Sequence, residues 1–152
     1  MIQRIQSLFL FLSLCFITPM FFVPIANLVF ETGEIFTFNL IGFFLTEAGI
    51  TACVSNQYSL TVFGIVICAL NLIIIFLYRN RILQVRFCIY NILLLIGLIG
   101  VMLFVLYSIP NVRSVAFGIP VVFPVISIIL HYLAFRGIRK DELMVQALNR
   151  LR

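Results

Sequence analysis

Charged side chains are scarce in this sequence. Of its 152 residues only 10% are charged and 64% are apolar, whereas soluble domains carry about 25% charged residues and roughly half apolar ones. This shortage of charge excludes a soluble globular domain. We therefore expect lipid to be the main solvent. We also expect a single domain over residues 1–152, because little chain remains once the membrane helices are counted.

Residues that carry chemistry are missing from the apolar runs. None of the five Asp and Glu residues lies inside one, which weighs against ion-coupled transport because such transporters place carboxylates near the bilayer centre. The only histidine, His131, has no acid at its depth to complete a catalytic triad. The four cysteines lack the spacing of a metal or redox motif. We expect no enzyme activity, no metal and no cofactor.

Four long uncharged runs dominate the chain instead. Each is close to the ~20 residues that cross a hydrocarbon layer, so the sequence predicts four transmembrane helices. A cleaved signal peptide is the competing interpretation of the first run, but that run is longer than the apolar part of such peptides. Pro120 marks a start for the fourth span and Pro124 a bend in it. The predicted spans are 8–25, 59–78, 87–107 and 115–135.

The basic residues fall almost entirely on one side of these spans. Nine of the ten lie before the first span, between the second and third, or after the fourth, and only Arg113 lies elsewhere. This positive-inside pattern predicts that both termini lie in the cytoplasm. Because the basic residues sit at membrane boundaries and form no stripe on a soluble face, no nucleic-acid partner is expected. The nine are Arg4, Arg79, Arg81, Arg86, Arg136, Arg139, Lys140, Arg150 and Arg152.

The outer segment, residues 26–58, is the only part outside the membrane that is large enough to fold. Residues 35–40 alternate with the two-residue period of a half-buried strand, and residues 28–30 can pair with them across a loop that contains Gly33. An interfacial helix through residues 40–45 stays open as the alternative, because short apolar runs fit either structure. The predicted fold is an all-α membrane protein, a four-transmembrane-helix bundle with a short periplasmic β-hairpin between helices 1 and 2.

The tail, residues 136–152, turns polar after the fourth span. Asp141 is a suitable N-cap for a short separate helix with Met144, Leu148 and Leu151 on one side. A solvated tail is the alternative, because a twelve-residue helix is marginal in water on its own.

Four polar residues inside the spans are candidates for contacts between helices: Asn71, Asn91, Ser127 and His131. Asn71 and Asn91 lie about one helical turn out of register across the second and third spans, so they can reach each other or a third helix. His131 is either a proton relay or an imidazole bonded to a neighbouring helix, and the missing carboxylate favours the second interpretation.

The most concentrated charge is the cluster of Arg79, Arg81 and Arg86 in the turn between the second and third spans. At the inner surface each basic residue gains about 1 kcal/mol from anionic lipid. We expect this cluster, together with Arg139 and Lys140, to contact anionic phospholipid or an acidic protein surface.

Three blocks of sequence resemble the domain-of-unknown-function 4293 family: residues 1–8 (MIQRIQSL), residues 78–86 (YRNRILQVR), and residues 138–143 with 149–152 (IRKDEL and NRLR). The resemblance implies a small four-span protein of Bacteroidota in the cytoplasmic membrane, with the outer segment in the periplasm. It implies no activity. A four-span chain with an outer strand pair is also similar in architecture to the claudins, at the level of the fold alone.

Two classes of function fit this sequence. The first is a non-catalytic accessory or interaction subunit of a membrane complex, whose partners are other membrane proteins and anionic phospholipid. The second is a small oligomeric transporter or channel, in which Asn71, Asn91, Ser127 and His131 line a polar seam.

Overall fold

The computed structural model describes residues 3–30, 34–47, 50–77, 80–109 and 112–150. Over these ranges the chain forms four α-helices and five β-strands. The helices are α1 (Gln3–Ile17), α2 (Tyr58–Phe76), α3 (Arg81–Tyr107) and α4 (Phe123–Arg150). The strands are β1 (Ala26–Phe30), β2 (Ile35–Phe38), β3 (Gly42–Glu47), β4 (Ile50–Asn56) and β5 (Val112–Phe117). Short 3₁₀ turns, Thr18–Phe21 and Ile119–Val122, follow α1 and precede α4.

Among the described residues, three helical segments are long and apolar enough to cross a membrane: Tyr58–Phe76, Ile82–Tyr107 and Ile119–Asp141. Their lipid-facing sides are exposed Leu, Ile, Val and Phe side chains, which in water would be an aggregation hazard. The chain is therefore built as a membrane protein. The stretch Gln6–Phe21 is apolar but shorter.

The helices bury residues at alternating spacings of four and three. On α2 the buried positions are Leu60, Gly64, Ile67, Asn71 and Ile74, which places them on one stripe of the helix. Helix α1 packs against α2 and α4, and α3 packs against the same two neighbours. Each helix thus turns one stripe inward and leaves much of the rest of its surface exposed.

The connection between α1 and α2 and the connection between α3 and α4 lie at the same end of the helices. Together they form a single antiparallel sheet. Its order is β4-β3-β2-β1-β5, so the strand from the second connection adds to the edge of the four from the first. Leu28 on β1 pairs with Phe36 on β2 and with Val115 on β5. These side chains face the helices and join one hydrophobic cluster with residues of α2 and α3. Because successive side chains of a strand point to opposite faces, the residues between these point away from the helices.

The turn between β2 and β3 fixes the sheet to the helices. The side chain of Leu40 is fully buried, and its carbonyl oxygen accepts a hydrogen bond from the Thr61 hydroxyl at 3.0 Å. Its N–H donates to the Met20 carbonyl at 3.2 Å. A Cβ added at Gly64 would overlap the side chains of Leu40 and Phe21. Glycine at this position of α2 therefore lets the sheet approach the helix closely.

The predicted all-α fold class is wrong, because the outer part is a five-stranded sheet and not an isolated hairpin. The pairing of β1 with β2 is confirmed, with Val29 opposite Ile35. The interfacial helix considered over residues 40–45 is replaced by β3. Strand β5 occupies residues 112–117. The sequence predicted a loop up to residue 114 and the fourth span from residue 115. Val115 of this strand packs against the hydrophobic cluster shared by the sheet and the helices, whereas Phe117 pairs with Ala26 and is 52% exposed.

The interpretation of α4 also needs correction. Pro124 is the second residue of the helix, where its missing N–H costs no hydrogen bond, so it introduces no bend. Asp141 does not cap a separate tail helix, because α4 runs without interruption from Phe123 to Arg150. The tail is therefore helical as far as Arg150 and continuous with the rest of α4, which is about 42 Å long.

Replacing Gly64 with Ala should destabilise the protein by about 1–3 kcal/mol, because the new Cβ forces Leu40 and Phe21 to move in a packed region. Gly100→Ala is the matched control in α3, since a Cβ there meets nothing within 4 Å. Thermal unfolding of the two detergent-solubilised variants measures the difference. Equal melting temperatures would show that the contact between α2 and the sheet is not tight.

Candidate functional site

A layer of polar side chains crosses the interior of the helices, and all five members are fully buried. We call this set the polar layer. It lies between two hydrophobic clusters. On α1, for example, Leu10 belongs to one cluster and Ile17 to the other, with one polar position between them. Each helix contributes at least one member: Ser13 from α1, Asn71 from α2, Asn91 from α3, and Ser127 with His131 from α4.

His131 has the most contacts in the polar layer. Its Nδ1 lies 2.9 Å from the Ser127 carbonyl oxygen and 3.1 Å from the Ser13 hydroxyl oxygen. Its Nε2 lies 2.8 Å from Asn91 Nδ2. A carbonyl oxygen only accepts, so Nδ1 carries a hydrogen and donates it, and Nε2 accepts from the Asn91 amide. With the Asn91 amide nitrogen turned toward the ring the imidazole is neutral, and its contacts join α4 to α3 and α1.

Ser13 extends the layer to the second helix. Its hydroxyl oxygen accepts from Asn71 Nδ2 at 3.4 Å, and its carbonyl oxygen accepts from the Ser127 hydroxyl at 3.4 Å. Asn71 is therefore bonded to Ser13 on α1, and Asn91 is bonded to His131 on α4. The four residues predicted from sequence come together in one network. Ser13, which sequence reasoning missed, connects them.

Two amide oxygens in the layer have no hydrogen-bond partner among the described residues: Oδ1 of Asn71 and Oδ1 of Asn91. Each amide thus uses its donor and leaves its acceptor unpaired. A buried polar group without a partner costs free energy, so these two oxygens do not stabilise the layer. The amide nitrogens do, through their hydrogen bonds to Ser13 and His131. The layer accordingly favours one rotational setting of each helix.

The chemistry available in the layer is limited to hydrogen bonding. Its only titratable group is His131, and no carboxylate or cysteine contacts the ring among the described residues. No group of three metal-ligating side chains occurs in the part of the chain that the structure describes. Cys15, Cys68 and Cys88 are free thiols, and the Cys53 side chain lies outside the described residues. What the geometry supports is attachment of the helices to one another.

A second pair of buried polar contacts lies at the helix ends opposite the sheet. Gln6 Nε2 donates to Asp141 Oδ2 at 2.7 Å, joining α1 to the extension of α4. Both side chains are buried. Gly137 leaves room for Gln6, since a Cβ there would lie 3.1 Å from Gln6 Cγ. Gln84 Nε2 donates to the Ile74 carbonyl at 3.2 Å and joins α3 to α2.

The predicted basic contact residues are only partly described. Arg79 and the side chain of Arg81 lie outside the described residues, and Arg86 is exposed on α3. Arg139 and Lys140 are exposed on α4, where they line a groove of about 350 Å³ that we call the basic groove. Arg86 is not among its lining residues. The groove is lined by Tyr132, Phe135, Arg136, Arg139, Lys140 and Leu143.

Comparison with known proteins places the chain in a family. Residues 2–151 match the family described as a domain of unknown function, DUF4293. The chain belongs to this family. None of the curated proteins matches it. The family description carries no activity.

The contact between Asn91 and His131 should appear as a coupling free energy. We expect the double-mutant cycle of Asn91→Leu and His131→Leu to give about 0.5–1.7 kcal/mol, the range of hydrogen bonds between membrane helices. Reversible unfolding in mixed micelles provides the measurement. The control cycle pairs His131→Leu with Gln84→Leu, whose partner is the Ile74 carbonyl, and should be additive within about 0.5 kcal/mol. Additivity in both cycles would contradict the hydrogen bond.

Proposed function

We propose that this protein is a non-catalytic accessory subunit of a bacterial inner-membrane complex, with four spans and both termini in the cytoplasm. On this proposal the helices form a scaffold held by the polar layer. The sheet lies in the periplasm, where it contacts other membrane proteins. The observation that carries the proposal is the uncharged outer face of the sheet.

That outer face consists of the strand residues that point away from the helices. One row runs across the sheet through Ala116, Asn27, Thr37 and Phe44, in register on four strands. The next row contains Ser114, Val29 and Ile35. None of the seven is charged, and Ile35 is 50% exposed. Depletion of charge together with exposed apolar groups is typical of the central part of a protein interface.

A fourth span is supported by the length of the first helical segment. Residues 6–17 are α-helical and Thr18–Phe21 continue as a 3₁₀ turn. Their combined rise is about 26 Å, a few ångströms short of the roughly 30 Å hydrocarbon layer. The segment also contacts α2 and α4. We therefore count it as a membrane span.

The orientation is supported by the position of the sheet. All nine basic residues assigned to the cytoplasm belong to the termini, to the turn between α2 and α3, or to the adjoining ends of α3 and α4. Arg113 is the one basic residue in the sheet. A charge distribution of this kind retains the basic end in the cytoplasm during insertion.

A transporter is the alternative, and the polar layer weighs against it. Asn71, Asn91, Ser127 and His131 are fully buried inside one chain and bonded across its helices. A pore formed between subunits would need them on the outer surface of the helices. The lipid-facing positions of α2 and α3 are instead exposed aliphatic and aromatic side chains.

The subunit proposal is tested by partner recovery from native membranes. Tagged protein solubilised in mild detergent should co-purify with defined partners. Asn27→Arg with Ala116→Arg should remove them, because two buried charges at an interface cost several kcal/mol. Asn80→Arg adds a charge to an exposed residue at the opposite end and should leave the partners in place. Partners that survive the double variant would refute docking through the outer face.

The orientation is tested by cysteine labelling in intact spheroplasts. In a Cys53→Ser background, Ser55→Cys, at an exposed position of β4 outside the outer face, should react with an impermeant maleimide. Asn80→Cys should react only after the membrane is opened, because the basic end lies inside. Both positions are exposed, so a difference in labelling reports on which side of the membrane each position lies. Labelling of Asn80→Cys in intact spheroplasts would reverse the proposed topology.

A further inference from the structure

The basic groove combines three cations with aromatic and apolar side chains on one face of α4. Arg136, Arg139 and Lys140 follow each other at spacings of three and one, and all three are exposed. At 100° per residue they lie within one side of the helix. Tyr132 lies one turn before Arg136, and Leu143 lies one turn after Arg139. The groove therefore has a cationic centre with apolar walls.

Among the residues whose side chains the structure describes, no carboxylate lines this groove. Asp141 is adjacent to Lys140 in sequence but points to the opposite side of α4, where it is 8% exposed and accepts a hydrogen bond from Gln6. Asp141 is the acid nearest in sequence whose side chain the structure describes, and it is already hydrogen-bonded to Gln6 of α1. The described lining of the groove therefore carries positive charge that an external anion can neutralise.

The same face of α4 continues into lipid as an apolar strip. Val125, Ile129 and Tyr132 follow at intervals of four and three and are each about half exposed, at 46%, 54% and 54%. They lie on the sheet side of the cations, toward the middle of the span. A ligand that fits this face has an anionic group beside Arg139 and a long apolar part beside Ile129. Neither a free anion nor an acidic protein surface has that form.

We propose that the basic groove of α4 binds one anionic phospholipid at a defined site, with its phosphate between Arg136, Arg139 and Lys140 and its acyl chains along Ile129 and Val125. This inference rests on the membrane placement proposed above. Tyr132 lies at the level where phospholipid glycerol groups meet the hydrocarbon, the position that tyrosine favours in membrane proteins.

The test is lipid retention by the full chain, reconstituted into vesicles of equal phosphatidylglycerol and phosphatidylethanolamine and then analysed by native mass spectrometry. The wild type should retain one phosphatidylglycerol in preference to phosphatidylethanolamine. Arg139→Gln should lower that preference about fivefold, because one cation near the surface contributes that much to anionic lipid binding. Excess inorganic phosphate should not displace the lipid, since it lacks the apolar part.

Arg113→Gln is the matched control, because it removes the same charge from an exposed arginine on β5, outside the groove. It should leave the preference unchanged. An equal loss in both variants, no preference in the wild type, or displacement by phosphate would each overturn the phospholipid site. A chain that fails to insert into vesicles at all would instead refute the proposed membrane placement, so the two failures are distinguishable.

Discussion

The hydrogen-bonded contact of His131 with two neighbouring helices, α1 and α3, is the constraint on which the helical part of this protein depends. Lipid offers no hydrogen bonds, so packing of apolar stripes alone leaves the rotation of each helix weakly specified. The polar layer removes that freedom, because any rotation separates Asn91 from Nε2 of His131 or Ser13 from Nδ1. The hydrophobic clusters above and below the layer then pack in a single register.

The fixed register of the helices also positions the strands of the sheet relative to one another. Strand β5 comes from the connection between α3 and α4, and β1 from the connection between α1 and α2. Their pairing needs the ends of α1 and α4 to stay adjacent. Phe16 and Phe123, one from each helix, stack edge to face with ring centroids 5.5 Å apart near this junction. The helical part thus presents the uncharged outer face of the sheet in one orientation, which the proposed docking role requires.

The sequence predicted the helices better than the sheet. Asn71, Asn91, Ser127 and His131 could be predicted as contact residues because polar side chains in lipid have to find partners. Ser13 was missed because a serine is unremarkable in an apolar run, although it lies midway between Leu10 and Ile17 on the buried stripe. Strands β3 and β4 lack clean alternation, and β5 merges with the apolar run of α4, so pattern could not identify them. Asp141 resembled a helix cap, and only its contact with Gln6 explains its place within α4.

Because His131 is the only histidine, its protonation state can be measured without assignment ambiguity. Solid-state NMR of the protein in lipid, with ¹⁵N-labelled histidine, reports whether each ring nitrogen carries hydrogen. The geometry predicts a protonated Nδ1 that is slow to exchange with solvent, and an unprotonated Nε2 coupled to the Asn91 amide. A protonated Nε2, or rapid exchange of the Nδ1 hydrogen with water, would contradict the polar layer as the element that fixes the helices.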